Sequence, residues 1–226
     1  MELISLLINN PIFSSLDPEN LYTIANIAIT RSYESDHWVT HYGDIWPYLF
    51  IVHEGIITAM KESVEGRSLI VAQFEAGEVF WGLGFFLEDA PTPAALVATK
   101  PTKIHIWSRQ QLLPILLQHG QMSWELTTLM VQRMLLASDI VEGLAFQPVA
   151  VRLAQFLLDR FGEDSVEKVS RDLTLEEMAA HIGTTREMVC RMLNKFSNQG
   201  LIEITRTEFL FKDRKGLQRF VKNPKV

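Results

Sequence analysis

The residues with the clearest chemistry lie between Thr174 and Arg206. On a helix starting near Thr184, Val189, Met192, Leu193 and Phe196 share one face. Glu187, Cys190, Arg191 and Asn194 take the opposite face, with Arg186 beside them near the N-terminus. Arg186 and Arg191 can each present two parallel N–H groups to the O6/N7 edge of guanine. Glu187 can accept from the amino group of cytosine, and Cys190 lies between them on the same surface. Thr174, Thr184, Thr185, Lys195 and Arg206 are types suited to phosphate oxygens, which fix position without carrying sequence information. These are the parts of a reader of the DNA major groove. Catalytic sets are missing by comparison: there is no Ser-His-Asp pattern, P-loop or Gly-rich dinucleotide loop. The single cysteine, Cys190, excludes an internal disulfide, a cysteine-rich zinc site and a Cys-ligated iron–sulfur cluster within one chain. No catalytic residue, metal site or enzymatic activity is expected. The alternative from another class, a barrel metalloenzyme with a DNA-binding tail, requires a His-x-His pair followed by Glu and His. His37 and His41 are four apart, and no Glu follows at suitable spacing.

The elements that must hold these groups are legible nearby. Thr174 with Glu177 spells a capping box, followed by Leu175, Met178, Ala179 and Ile182 as the apolar face of a short helix. Gly183 supplies a tight turn, and Thr184 with Glu187 spells a second capping box before the next helix, which runs to about Asn198. Leu201–Ile204 and Phe209–Phe211 flank Thr205-Arg206-Thr207-Glu208 as the hairpin of a wing. Together these segments predict a winged helix-turn-helix with the second helix as its recognition helix.

Charge separates this region from the rest. Residues 1–146 hold 7 Lys/Arg against 16 Asp/Glu, whereas residues 183–226 hold 10 against 4, within a net charge of −6. Only the C-terminal end is therefore expected to meet an anion. Asp17-Pro18-Glu19 starts a helix, with Pro at its first position. From Tyr33 to Trp107 short apolar runs recur (Tyr48–Val52, Gly55–Met60, Ser68–Ala72). Gly43, Gly55, Gly66 and Gly77 punctuate them at intervals of about ten residues. This spacing predicts a small antiparallel barrel or roll. Beyond Ser108 the pattern is helical. A heptad-like seam through Met122, Leu126, Leu129, Arg133, Leu136, Ile140 and Gly143 predicts a dimer interface, and further apolar positions (Met130, Val131, Met134, Leu135, Val141, Leu144) let the helix pack on two sides. Replacing Leu129 or Leu136 by Glu should disperse such a dimer. Gln147-Pro148 reads as a hinge, followed by an amphipathic helix through Val151, Leu153, Ala154, Phe156, Leu157 and Phe161 to Gly162. The expected organisation is α+β: an antiparallel β-roll sensor at 1–118, a dimerisation helix and hinge at 119–146, and the DNA-binding domain at 147–226. No apolar run approaches the roughly 18–20 residues of a membrane span, and the N-terminus lacks the basic region of a signal peptide, so a cytoplasmic location is expected.

With these residues in view, the sequence resembles the superfamily of the cyclic-AMP receptor protein and the fumarate–nitrate reduction regulator (CRP/FNR). The resemblance rests on Gly143-Leu144-Ala145-Phe146 leading to Val151-Arg152-Leu153-Ala154, on Thr174–Ala179, and on Thr185–Arg191. Gly77-Glu78-Val79-Phe80-Trp81-Gly82-Leu83-Gly84 resembles the phosphate-binding cassette of that family. The resemblance implies a cyclic-nucleotide-binding-like roll and a homodimer on a palindromic double-stranded site. It implies RNA polymerase as a partner, and base contacts from Arg186, Glu187 and Arg191 to a TGTGA-like half-site. Cys190 replaces a small residue common there, which leaves the outer bases open.

The sensor departs from the family pattern. Gly82 stands where the cassette carries the ribose-binding Glu, and Thr92-Pro93 where it carries Arg-Ser. Ala137 replaces the dimer-helix Thr that meets adenine, with Ser138 beside it, and Trp81 is expected to crowd the pocket formed with Leu83. The sequence thus argues against cyclic AMP, and no cofactor is predicted. Three alternatives stay open: an apolar or planar ligand among Trp38, Trp46, Phe80, Trp81, Phe85 and Phe86; haem on one of His37, His41, His53 or His105; or no effector at all. In the first two, ligand binding would alter packing along the long helix and shift the population between two dimer arrangements.

Overall fold

A computed structural model describes residues 2–161, 168–205 and 207–222. Its elements in chain order are α1 (Glu2–Ile8), α2 (Pro18–Ile27), β1 (Ile29–Tyr33), β2 (His37–Thr40), β3 (Tyr48–Glu54), β4 (Ile57–Glu62), β5 (Ser68–Phe74) and β6 (Val79–Trp81). They continue with a 3₁₀ turn (Leu83–Phe85), β7 (Ala95–Ala98), β8 (Thr102–Ser108), α3 (Arg109–Gln118), α4 (Gly120–Phe146) and α5 (Val149–Phe161). The last are β9 (Lys168–Ser170), α6 (Leu175–Ile182), α7 (Arg186–Asn198), β10 (Ile202–Ile204), β11 (Glu208–Phe211) and α8 (Arg214–Lys222). The contacts divide the chain into two compact units, one of residues up to 61 with 71–137 and one of residues 62–70 with 138 onward, so the division falls within α4.

The first unit is the expected antiparallel roll. Two four-stranded sheets run in the orders β1-β8-β3-β6 and β2-β7-β4-β5. Alternation along the first sheet sends its side chains to two cores. Leu49, Ile51, Val79, Trp81 and Trp107 face the helices, packing with Leu7, Phe13, Ile24, Leu112, Met122 and Leu126. Phe50, Val52, Ile104 and Ile106 face the second sheet, with Trp46, Ile57, Phe74, Leu96 and Ala98. The turn glycines behave as their spacing predicts: Gly43, Gly55, Gly66 and Gly77 all have positive φ. At Gly55 a Cβ would also lie 2.4 Å from the Pro101 carbonyl oxygen, so no other residue fits that corner. Asp17 caps α2 by accepting from the Asn20 amide at 2.9 Å. The Trp107 indole donates to the Ile24 carbonyl at 2.8 Å, fixing α2 on β8.

α4 corrects one expectation. Met122 and Leu126 are fully buried in the helix-facing core and Leu129 packs against it. Arg133 also turns inward: its Nη2 donates to Glu78 Oε1 at 2.7 Å, and its guanidinium sits 5.0 Å over the Phe74 ring. Leu136 is exposed and Ile140 half-buried. The first half of the sequence-read seam is therefore the unit's own core. The large apolar residues left at the surface of α4 are Trp124, Met130, Val131, Met134, Leu135, Leu136, Val141, Leu144 and Phe146. Two apolar stripes of helical period coexist on this helix, and the α3–α4 corner selects the inward one: the Ser123 hydroxyl donates to the Leu116 carbonyl at 2.6 Å and sets the helix rotation.

His105, on the helix side of β8, is 5% exposed. Its Nδ1 meets the Thr30 hydroxyl at 3.0 Å and its Nε2 meets His53 Nδ1 at 3.3 Å, while Glu2 stands 3.6 Å from His53 Nε2. Burial first, then the neighbouring His53 and Lys103, lower its pKa to about 4, against a small opposing pull from Glu2. The unfolded chain takes up this proton near pH 6.5, and the folded one only near 4. Stability from this group is thus complete above about pH 6.5 and falls as pH drops toward 4. Thermal melts across that window should show the decline, and His105→Gln should flatten it.

The second unit is a helical domain with a three-stranded sheet in the order β10-β11-β9. Its core joins Leu153, Ala154 and Leu157 of α5, Met178 and Ile182 of α6, and Val189, Leu193 and Phe196 of α7. Phe209 and Phe211 of β11 and Leu217 and Phe220 of α8 complete it. The sequence reading missed β9, which pairs with β11, and α8, which packs on α5. The reading of α5 as ending at Gly162 falls on a residue outside the described set. Among the described residues, no helix is long and apolar enough to cross a membrane, and no group of three His, Cys, Asp or Glu is placed to hold a metal ion.

Candidate nucleic-acid interface

Local chemistry builds the corner between α6 and α7. Thr174 closes a capping box with Glu177: the Glu177 amide donates to the Thr174 hydroxyl at 3.1 Å, and that hydroxyl donates to Glu177 Oε2 at 2.8 Å. The Thr174 amide also donates to Glu177 Oε2, at 2.7 Å, so both its hydroxyl proton and its backbone N–H are engaged with Glu177 and neither is offered to a phosphate. Gly183 ends α6 in the left-handed conformation, φ 63° and ψ 52°. The expected second capping box at Thr184 does not form. The Thr184 amide still donates to the Ala179 carbonyl at 3.0 Å, closing off α6, so the first residue free to cap α7 is Thr185, whose hydroxyl accepts from the Met188 amide at 3.4 Å.

On α7 the two faces separate as the spacing predicts. Val189, Leu193 and Phe196 are buried, and Met192 is half-buried. Arg186, Glu187, Cys190, Arg191, Asn194 and Lys195 are exposed. The Glu187 carboxyl is held below the usual carboxylate range by its own backbone amide and by the Thr185 hydroxyl, so it is an acceptor at neutral pH. Asn194 Nδ2 approaches the Cys190 sulfur at 3.8 Å. Arg186 Nε lies 3.3 Å from Glu176 Oε1 on α6. Lys195 extends over the Phe220 ring, 5.2 Å from its centre. In the wing, the Thr205 amide donates to the Glu208 carbonyl at 2.9 Å, and Glu203 pairs with Lys212 at 2.9 Å. Arg206 lies outside the described residues. The arrangement presents two guanidinium groups, one carboxylate and one thiol on a single exposed helix face, the donor and acceptor set that base edges recognise.

Sequence reasoning did not single out two residues that shape this corner. Glu176 reads as one more acidic residue of a first helical turn. Arg152 enters only as a letter of the family signature, yet its Nε donates to the Ile182 carbonyl at 2.8 Å and its Nη1 to the Gln147 carbonyl at 2.6 Å. Longer contacts reach Gly143 at 3.3 Å and Gly183 at 3.4 Å.

In the roll, the cassette-like segment has no room for a side chain at Gly82. A Cβ there would lie 2.0 Å from the Trp46 carbonyl oxygen and 2.9 Å from the Trp46 Cβ. Trp81 turns to the helix-facing core with Phe85, so it does not crowd the roll's interior as expected; strand alternation gives that place to Phe80. Phe80 stacks on Phe74 at 4.2 Å and meets Phe50 at 5.5 Å. The expected aromatic group is thus divided between two cores, and Trp38 is outside both, stacked on His41 at the surface. Leu83 opens the 3₁₀ turn, Thr92 is buried, Pro93 is exposed, and Ala137 and Ser138 are exposed on α4.

Comparison with known proteins accounts for both units. The cyclic nucleotide-binding domain matches residues 30–119, and the Crp-like helix-turn-helix domain matches residues 151–220. The chain belongs to the CRP/FNR superfamily. Among its relatives is the CRP-like cAMP-activated global transcriptional regulator of Mycobacterium tuberculosis, 26% identical over 92% of this chain and 95% of that protein. The cAMP-activated global transcriptional regulator Vfr of Pseudomonas aeruginosa is 26% identical over 77% of this chain and 85% of its own length. A CRP/FNR-family regulator from Eubacterium rectale has the same fold, with a TM-score of 0.78 at 21% identity over 94% of this chain and 98% of its own. As a CRP/FNR member, the chain is a DNA-binding transcriptional regulator, and the relatives it matches are regulators rather than enzymes.

Proposed function

We propose that two copies of this chain pair along α4 and read a TGTGA-like palindrome through Arg186, Glu187, Cys190 and Arg191, and that the roll does not answer to cyclic AMP. The observation that carries the reading is the exposed face of α7, where these four groups stand clear of the core. Thr184, Thr185, Lys195 and Arg206 supply phosphate contacts, and RNA polymerase is the expected protein partner. The test is selection from random duplexes by the full chain without added ligand. Recovery of a palindrome, with half-sites spaced by about one helical turn, supports the reading. Arg186→Ala and Arg191→Ala should each weaken the selected site about 10- to 100-fold and relax preference at a single base pair. Unchanged preference in both variants would remove the base-reading assignment.

The pairing face follows from the corrected rotation of α4. Trp124, Val131, Ser138 and Ala145 recur at steps of seven, as do Thr127, Met134 and Val141, and all are exposed. Met134→Glu should leave the protomer folded but weaken dimerisation by about 100-fold, because an unpaired carboxylate would be desolvated in each copy. Sedimentation reads this directly. Leu126→Glu, by contrast, should fail to fold. A dimer unaffected by Met134→Glu would move the interface elsewhere.

A small-molecule effector is a second reading, favoured by one observation. Trp46 Nε1 and Thr92 Oγ1 are both buried without a hydrogen-bond partner. A polar ligand accepting from either would satisfy it, and mass analysis of small molecules released from purified protein would reveal such a ligand.

A further inference from the structure

We propose that Glu176 positions Arg186 for base reading and so sets how sharply one base pair is discriminated; this rests on Arg186 being a base contact. Glu176 stands in the first turn of α6 and Arg186 opens α7. Their side chains meet across the helix-turn-helix, Nε to Oε1 at 3.3 Å, with both side chains more than half exposed. The two backbones are held in register by the Thr174–Glu177 capping box, the left-handed Gly183 and the shared core of Met178, Ala179, Ile182, Val189 and Leu193. The ion pair therefore joins two helices whose backbones are already held by caps and core.

A guanidinium offers five N–H groups in one plane, and guanine takes two of them in parallel. A carboxylate beside Nε leaves both terminal nitrogens free and fixes the plane in which they lie. It also restrains an exposed side chain that would otherwise sample many rotamers, so less freedom is lost when the base is bound. Glu187, the neighbouring carboxylate, is engaged with Thr185 and its own amide. The same negative charge faces the approach of the phosphates and weakens binding to every sequence. Glu176 thus exchanges general affinity for selectivity. It is a positioning residue: its side chain is exposed, and the capping box uses Glu177 instead, so its removal leaves neither a cavity nor an open helix end.

The test uses the full-length protein, the selected duplex, and duplexes changed at one base pair at a time. Arg186→Ala first identifies the base pair that Arg186 reads. Glu176→Ala should then lose about three- to tenfold of the discrimination at that pair and none elsewhere, while binding of unrelated duplex tightens. Glu176→Gln keeps an oxygen that can lie against Nε, and should retain most of the discrimination while sharing the gain in general affinity. Thermal melts should stay unchanged in both variants. Wild-type discrimination in Glu176→Ala, or an equal loss at all positions, overturns the proposal while leaving base reading intact. If Arg186→Ala alters no single base pair, the base-reading assignment falls and this proposal falls with it.

Discussion

Replacing Arg152 by alanine should destabilise the second unit by about 2–4 kcal/mol, leave the first unit intact, and abolish tight DNA binding. The four carbonyls that Arg152 reaches, at Gly143, Gln147, Ile182 and Gly183, belong to two helix ends: the close of α4 and the close of α6. Helix C-termini leave carbonyls without intrahelical partners and carry the negative end of the helix dipole, so a fixed cation there satisfies both. Burial lowers the Arg152 pKa, yet a guanidinium stays charged at any working pH. Charged hydrogen bonds contribute about 1.5–3 kcal/mol each, and the longer pair of contacts and partial exposure bring the sum down to the stated range. Arg152→Lys should recover little, since a single ammonium cannot fork across two helix ends. The tryptophans provide an internal control. All five, at 38, 46, 81, 107 and 124, lie in the first unit. Their fluorescence transition should stay in place while amide exchange in α5, α6 and α7 accelerates. Unchanged exchange in those helices would mean that the fork contributes nothing.

Arg152 also shows where the sequence stops being legible. The capping box at Thr174, the turn at Gly183, the positive-φ glycines of the roll and the two faces of α7 are encoded within a few residues of each other. Periodicity and side-chain type were enough to place them. What failed required knowing which of several possible partners a residue takes in the folded chain. Thr184 reads as a cap until the Ala179 carbonyl claims its amide. Met122 and Leu126 read as a dimer seam because α4 is apolar on two sides, and only the α3–α4 corner decides which side turns inward. Trp81 reads as a pocket residue until pairing of β6 with β3, Leu49 opposite Trp81, assigns it to the helix side. Glu176 owes its role to a partner ten residues away, and Arg152 joins carbonyls five and nine residues before it to others thirty and thirty-one residues after it, which no local pattern reveals. β9 is three residues long and exists through its pairing with β11, leaving little for a period to show.

Restoring the family's carboxylate at position 82 should not create a cyclic-AMP site. Gly82 has an ordinary extended backbone, φ −79° and ψ 153°, so the obstacle is space, not conformation. A Cβ at 2.0 Å from the Trp46 carbonyl oxygen is far inside contact distance. That oxygen belongs to backbone, and the Gly82 amide is itself tied to the Tyr48 carbonyl at 2.9 Å. Neither side can give way without moving β3 or its approach. Overpacking of this kind costs about 1–3 kcal/mol when side chains alone must shift, and more when backbone must. Gly82→Ala should therefore lower the melting temperature by itself, which separates steric cost from charge. Gly82→Glu adds an unpaired carboxylate beside Phe80 and Trp81 and should melt lower still, with no heat of cyclic-AMP binding by titration calorimetry. The two outcomes decide the sensor's ancestry in physical terms. If Gly82→Glu melts like the wild type and binds cyclic AMP, the roll has kept a nucleotide-shaped interior and lost only a side chain. If both variants are destabilised and silent, the path of Trp46 has closed the site at the backbone, and cyclic AMP is excluded by packing as well as by missing charge.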